Sequence, residues 1–157
     1  MGTGNPKYSI DTCSLTAMRR IYPRDVFPSA WRKIEGLVES ETLIAVEEVL
    51  EELKAQDDEL LEWASDRLQM FVPLDQSLQT EAKLVLSSHP NLVDLKKRKS
   101  GADPFVIASA IVNDCTVVTE EKPSGGPGRP KIPDVCRAYK VECITVLEML
   151  RREGLRV

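Results

Sequence analysis

The sequence predicts an α/β fold in which a mainly parallel sheet carries helices on both faces. Two observations lead there. Short apolar, β-branched runs recur between longer stretches of helical periodicity, in the order β-α-α-β-α-α-α-α-β-α-β-α. The chain has 157 residues, 42% hydrophobic and 29% charged, enough for one folded domain with a real core. There is no internal repeat and no linker. Residues 1–157 read as a single domain with a Gly/Pro-rich loop inserted near 122–131.

The first strand is centred on Tyr8 and Ile10, which alternate with polar neighbours and lead into Asp11. Thr12 and Ser14 offer hydroxyls where a helix could begin, and Leu15 to Tyr22 can form one that ends near Pro23. Phe27, Trp31, Ile34 and Val38 line one face of the next helix, with Pro28 in its first turn and Trp31 as a core anchor. Thr42 to Val46 is a buried strand. The helix after it places Glu48 and Glu52 one turn apart on one face.

Asp57 to Met70 reads as an amphipathic helix whose acids face solvent, and Phe71 to Leu74 as a connector or short edge segment. Asp75 to Ser88 is a further helix, ended by His89-Pro90. Lys96 to Lys99 form a basic run ahead of Gly101. Ala102 to Asn113 is a helix apolar nearly all round, with Asp103 as N-cap and Pro104 as first residue. Asp114 to Thr119 is a strand followed by Glu120 and Glu121. A short helix from Ile132, a strand over 141–144 and a last helix capped by Thr145 and ended by Gly154 complete the chain.

The net charge of −4 argues against nucleic-acid binding driven by charge alone, yet clustered carboxylates that hold cations would themselves make a chain acidic. The four cysteines include no C-x-x-C pair and there is one histidine, which argues against a zinc site. No apolar run is long enough to span a bilayer, and residues 1–6 lack the apolar core of a secretory signal. The expectation is a cytoplasmic protein with reduced thiols and no membrane partner.

Three acids share a position type. Asp11 ends a strand, Glu52 lies on the helix after a strand, and Asp103 begins a buried helix; Glu120 or Glu121 could be a fourth. In a parallel sheet such positions fall along the carboxyl edge, where ligands bind. For Asp11 and Asp103, helix capping is the competing explanation. Two unit charges 4 Å apart repel by about 4 kcal/mol at an effective dielectric near 20, so converging acids either take up protons or hold a cation. Oxygen-only donors point to Mg²⁺ or Mn²⁺.

Four segments, Ile10-Asp11-Thr12-Cys13-Ser14-Leu15, Val49-Leu50-Glu51-Glu52-Leu53, Ala102-Asp103-Pro104-Phe105-Val106-Ile107-Ala108-Ser109-Ala110 and Val117-Val118-Thr119-Glu120-Glu121, resemble in order and spacing the motifs of PIN-domain ribonucleases. The resemblance covers about residues 7 to 150. Tyr22-Pro23, Val26-Phe27-Pro28, Trp31 and the segment 131–136 look like one subfamily, the DUF4411 group of prokaryotic proteins.

The resemblance implies a PIN-like three-layer α/β/α sandwich and metal-dependent endonucleolytic cleavage of RNA, often by the toxin of a toxin–antitoxin pair. It assigns Asp11, Glu52, Asp103 and Glu121 as catalytic acids, with Glu48 and Glu120 as competitors for the second and fourth places. Asp11, Asp103, Glu120 and Glu121 are the implied ligands of one or two Mg²⁺ or Mn²⁺ ions. Thr12, Ser14, Thr119, Lys97, Lys99, Arg129 and Lys131 are implied to contact RNA. A protein antitoxin and a second copy of the chain are the implied protein partners.

The chain departs from the family pattern at Cys13, where Asn or Ser is usual, and in having Glu at the fourth position. A non-catalytic PIN-like module that binds RNA or protein is the alternative. A receiver-like signalling domain would want adjacent acids after its first strand and a Lys after its last, and the chain supplies neither.

Overall fold

Tyr8–Ile10, Leu43–Val46, Phe71–Val72, Thr116–Val118 and Cys143–Ile144 form strands β1 to β5 of one sheet in the computed structural model, which describes residues 5–93, 101–124 and 129–156. The strand order is β3-β2-β1-β4-β5 and every pairing is parallel. The central strands β1 and β2 are buried along their whole length, as strands covered on both faces must be.

The register aligns the carboxyl ends. Ile10 lies opposite Val118, and Val118 opposite Ile144. Asp11, Thr119 and Thr145 therefore follow one another across the same sheet edge. Between β1 and β4 the chain reverses the direction in which it adds strands, the kind of place where open α/β sheets bind ligands.

The helices are α1 Thr12–Ile21, α2 Pro28–Glu39, α3 Glu47–Gln56, α4 Asp58–Ser65, α5 Gln76–Ser88, α6 Asp103–Asn113, α7 Ile132–Ala138 and α8 Val146–Arg152. They cover both faces of the sheet in the three-layer arrangement. The most apolar, α6, lies across β1, β2 and β4 with α5 packed along it, while α2 packs on β2 and meets α8. Trp31 and Trp63 are both buried and meet edge to face at 5.4 Å, so Trp31 is the core anchor its periodicity suggested. None of the described helices is long and apolar enough to cross a membrane.

Three local expectations are corrected. α1 begins at Thr12, three residues before the expected start, because Asp11 caps it: the Asp11 backbone is extended and its Oδ1 accepts the Ser14 N–H. Asp103 is not an N-cap. It is the first residue inside α6; Ala102 precedes it in the helical region without a side-chain cap.

The segment expected as one helix over 57–70 is α4, a turn of 3-10 helix at Leu68–Met70, and then β3, an edge strand stopped by Pro73. Asp57 does not face solvent. It is buried, caps α4 by accepting the Leu60 N–H at 3.0 Å, and takes Arg19 Nε at 2.8 Å.

Asp57→Ala is expected to remove that cap and leave the partly buried Arg19 guanidinium without its partner. The combined loss is about 2–4 kcal/mol, a fall in Tm of roughly 5–12 °C for a chain of this size. A thermal melt of the variant beside Glu59→Ala, whose carboxylate contacts Arg19 only at 3.5 Å on the exposed side, checks it. Glu59→Ala should change Tm by less than about 2 °C.

Candidate functional site

Asp11 is the centre of the site. It sits where β1 gives way to α1 and is only 2% exposed. Its Oδ1 accepts the Ser14 N–H at 2.8 Å, and its Oδ2 accepts the Thr119 hydroxyl and, at 3.1 Å, the Cys13 thiol. Burial pushes the Asp11 carboxyl above the usual carboxylate range, with these donors opposing the shift. All the donors are neutral, and no described Lys or Arg lies within ion-pair distance of Asp11. Such a carboxylate gains from a bound cation.

Glu52 ties Asp11 to the third acid. Its Oε1 accepts the hydroxyl of Thr12, the residue after Asp11, and its Oε2 accepts at 3.3 Å the N–H of Ala102, the residue before Asp103. One carboxylate on α3 thus links the starts of α1 and α6, and Asp103, 8% exposed, begins α6 beside that link. Glu48, one turn back, makes neither contact. Its Oε1 is buried without a hydrogen-bond partner, and burial, with Glu47 and Glu51 adding like charge, pushes its carboxyl up. Of the two glutamates, only Glu52 touches the residues next to Asp11 and Asp103.

Glu120 and Glu121 point elsewhere. Glu120 Oε1 accepts the Val146 N–H that opens α8, and Glu121 Oε1 accepts the Ile132 N–H that opens α7, at 2.9 and 3.0 Å. These are favourable places for a carboxylate whatever else it does. Among the described residues no three His, Cys, Asp or Glu side chains gather closely enough to enclose an ion. The donor chemistry of Asp11, Glu52 and Asp103 nevertheless suits a hard cation, since it consists of carboxylate oxygens only.

The remaining residues sort by contact. Thr12 and Thr119 each give their hydroxyl proton to a carboxylate. Ser14 is fully buried, with its hydroxyl on Val118 O at 3.2 Å, so it builds the site and cannot reach a ligand. Arg129 donates to Asn91 O and Leu92 O at 3.1 and 3.0 Å and fastens two surface segments together. Lys131 precedes α7 and is half-buried. Lys97 and Lys99 lie outside the described residues.

Cys13 takes part in the site in a way its position did not reveal. Although the residue is exposed, its sulfur turns in to Asp11 Oδ2 and lies 3.8 Å from the Thr119 hydroxyl. Burial of the sulfur and the Asp11 charge push the thiol up, so it remains protonated and donates. The expected polar contact of the motif is therefore kept by a weaker donor.

Fold and site together define a three-layer α/β/α protein with carboxylates grouped at the turning point of an all-parallel sheet. The chain belongs to the family described as a domain of unknown function, DUF4411, whose model matches residues 8–157. No curated protein matches the sequence.

Proposed function

We propose that the chain is a Mg²⁺- or Mn²⁺-dependent endoribonuclease of the PIN type, acting as the toxin of a toxin–antitoxin pair. The observation that carries this reading is the bridge from Thr12 through Glu52 to Ala102, which draws Asp11 and Asp103 to one point on the carboxyl edge of the sheet. The four motifs that resemble PIN-domain ribonucleases fall on the strand ends and helix starts at that edge.

Asp11 and Asp103 would hold the ion, with Glu52 fixing their spacing and adding charge. A divalent cation bound there supplies Lewis acidity to the scissile phosphate and makes water a better nucleophile near neutral pH. Thr119 and Ser14 hold the Asp11 carboxylate in one orientation, and the raised Asp11 carboxyl makes the ion's charge worth more at the site. Cys13, a protonated donor beside a carboxylate, is not poised as a nucleophile.

The test is cleavage of a mixed-sequence single-stranded RNA in Mn²⁺ by the wild type and Asp103→Asn. The wild type should cut and the variant should fall to background while keeping its thermal melt. Full activity in Asp103→Asn sinks the proposal. On the same reading the partners are RNA, a protein antitoxin and a second copy of the chain. A small neighbouring reading frame whose product silences the RNA cleavage would support the toxin assignment.

Two observations favour a second reading, a PIN-like module that binds RNA or protein without cutting. The Cys13 thiol occupies Asp11 Oδ2, and Glu120 and Glu121 each hold a helix N-terminus. Calorimetric titration with Mn²⁺ separates the two, since absence of binding at millimolar ion supports the non-catalytic module.

A further inference from the structure

We propose that the surface cleft beside Thr119 is a subsite for one unpaired nucleobase of the RNA strand, with an edge chemistry suited to guanine. The inference rests on the nuclease reading and adds the form of its substrate. The cleft has a volume of about 400 Å³. One of its lining residues is Thr119, whose hydroxyl holds Asp11, so the cleft opens directly off the candidate site. A base in it would belong to a nucleotide adjoining the phosphate at Asp11.

The walls suit a flat ring with one polar edge. Pro133 from α7, with Val141 and Cys143 on the strand side, are half-exposed and largely apolar, surfaces on which an aromatic face can lie. Two charged groups complete the lining. Arg137 is exposed, and its guanidinium makes no hydrogen bond and no ion pair with another described residue, which leaves its full fork for a ligand. Glu121 uses Oε1 on the Ile132 N–H, and its other oxygen makes no hydrogen bond within the described structure.

Guanine matches this pair. Its O6 and N7 accept side by side, the arrangement an Arg fork reads, while its N1–H and N2–H₂ donate to a carboxylate. Adenine places a donor next to N7, and pyrimidines lack N7 altogether. In a duplex the Watson–Crick edge is already paired and the base is stacked, so only a single-stranded or looped-out base can enter.

Binding and cleavage test the subsite separately. Metal-free wild type and Arg137→Ala are titrated with 5′-GMP, AMP, UMP and CMP by NMR, and thermal melts verify that the exposed substitution spares the fold. Both proteins are then assayed in Mn²⁺ on a single-stranded oligonucleotide carrying one guanine, with fragment ends mapped. GMP should bind about tenfold tighter than the other nucleotides, and Arg137→Ala should lose that margin. Cuts should map beside the guanine, with the variant's deficit falling on KM rather than kcat.

Equal affinity for all four nucleotides overturns the proposal. If the wild type cleaves and Arg137→Ala changes neither KM nor fragment ends, the subsite falls and the nuclease stands. If nothing is cleaved but a GMP preference disappears in Arg137→Ala, the nuclease falls and the subsite stands.

Discussion

Asp11→Asn is expected to abolish RNA cleavage and, at neutral pH without divalent ions, to make the folded protein more stable. Several kcal/mol of transition-state stabilisation depend on a metal-binding carboxylate, and each ~1.36 kcal/mol is a factor of ten in rate. The loss should therefore be on the order of a thousandfold. The gain in stability has a different origin. Asp11 is almost wholly buried among neutral donors, and its carboxyl is raised by that burial. Asn keeps the acceptor that holds the Ser14 N–H and carries no charge into the interior, and the Thr119 hydroxyl can turn to accept from the new amide.

The sign follows from proton linkage. Because the folded pKa lies above the unfolded one, the native state binds more protons in the interval between them, and wild-type stability falls as pH rises through it. Below the ordinary Asp pKa the two proteins should melt alike as far as this group is concerned. Above the raised pKa the variant should lead by about 0.5–2 kcal/mol, or roughly 1–6 °C in Tm. Mn²⁺ should reverse the ranking, since only the wild type gains stability from binding it. A variant that melts lower than wild type at pH 7 without metal would show that Asp11 serves the fold and not a cation.

Removing the Glu52 carboxylate should have the second largest effect, and a pair of substitutions divides its two roles. Glu52→Ala deletes the acceptor for the Thr12 hydroxyl and the Ala102 N–H, so the starts of α1 and α6 lose their common anchor. Two hydrogen bonds to a charged acceptor are worth about 1.5–3 kcal/mol each at most, and solvent replaces part of that for a half-exposed residue. A fall of about 3–8 °C in Tm is expected.

Glu52→Gln keeps one acceptor for Ala102 and an amide that the Thr12 hydroxyl can meet by turning, so its Tm should stay within about 2 °C of wild type. Both variants should lose Mn²⁺ affinity and RNA cleavage by about tenfold to a hundredfold. Undiminished Mn²⁺ affinity in Glu52→Gln would reduce Glu52 to a structural brace. Melting curves and Mn²⁺ calorimetry on the three proteins decide the matter.

The elements were legible because each is governed by near neighbours. An apolar run such as Leu43–Val46, the stripe of Trp31, Ile34 and Val38, and the caps at Asp75 and Thr145 depend on residues within one or two turns, and all formed where their pattern put them. The same locality explains the misreadings. β3 is two residues long, too short for any periodicity, and exists because β2 offers it a partner at Ala45 and Val46. Asp57 looked like a surface acid until Arg19, 38 residues earlier, was brought against it. Arg137 carries no sequence signal at all, since an exposed charge on a short helix is ordinary; only the cleft beside it sets it apart.

By itself the sequence determined the alternation of strands and helices, the family of the chain, and the placing of Asp11 at a strand end and Asp103 at the start of a buried helix. Tertiary structure decided that β4 lies beside β1, so that Thr119 reaches Asp11 across 108 residues, and that Glu52 rather than Glu48 joins Thr12 to Ala102. It also turned Glu120 and Glu121 to the starts of α8 and α7. The reason is physical: backbone periodicity and capping are settled within a few residues, whereas the order of strands is settled by how whole faces bury one another. The direction of a carboxylate at the sheet edge follows from that order alone.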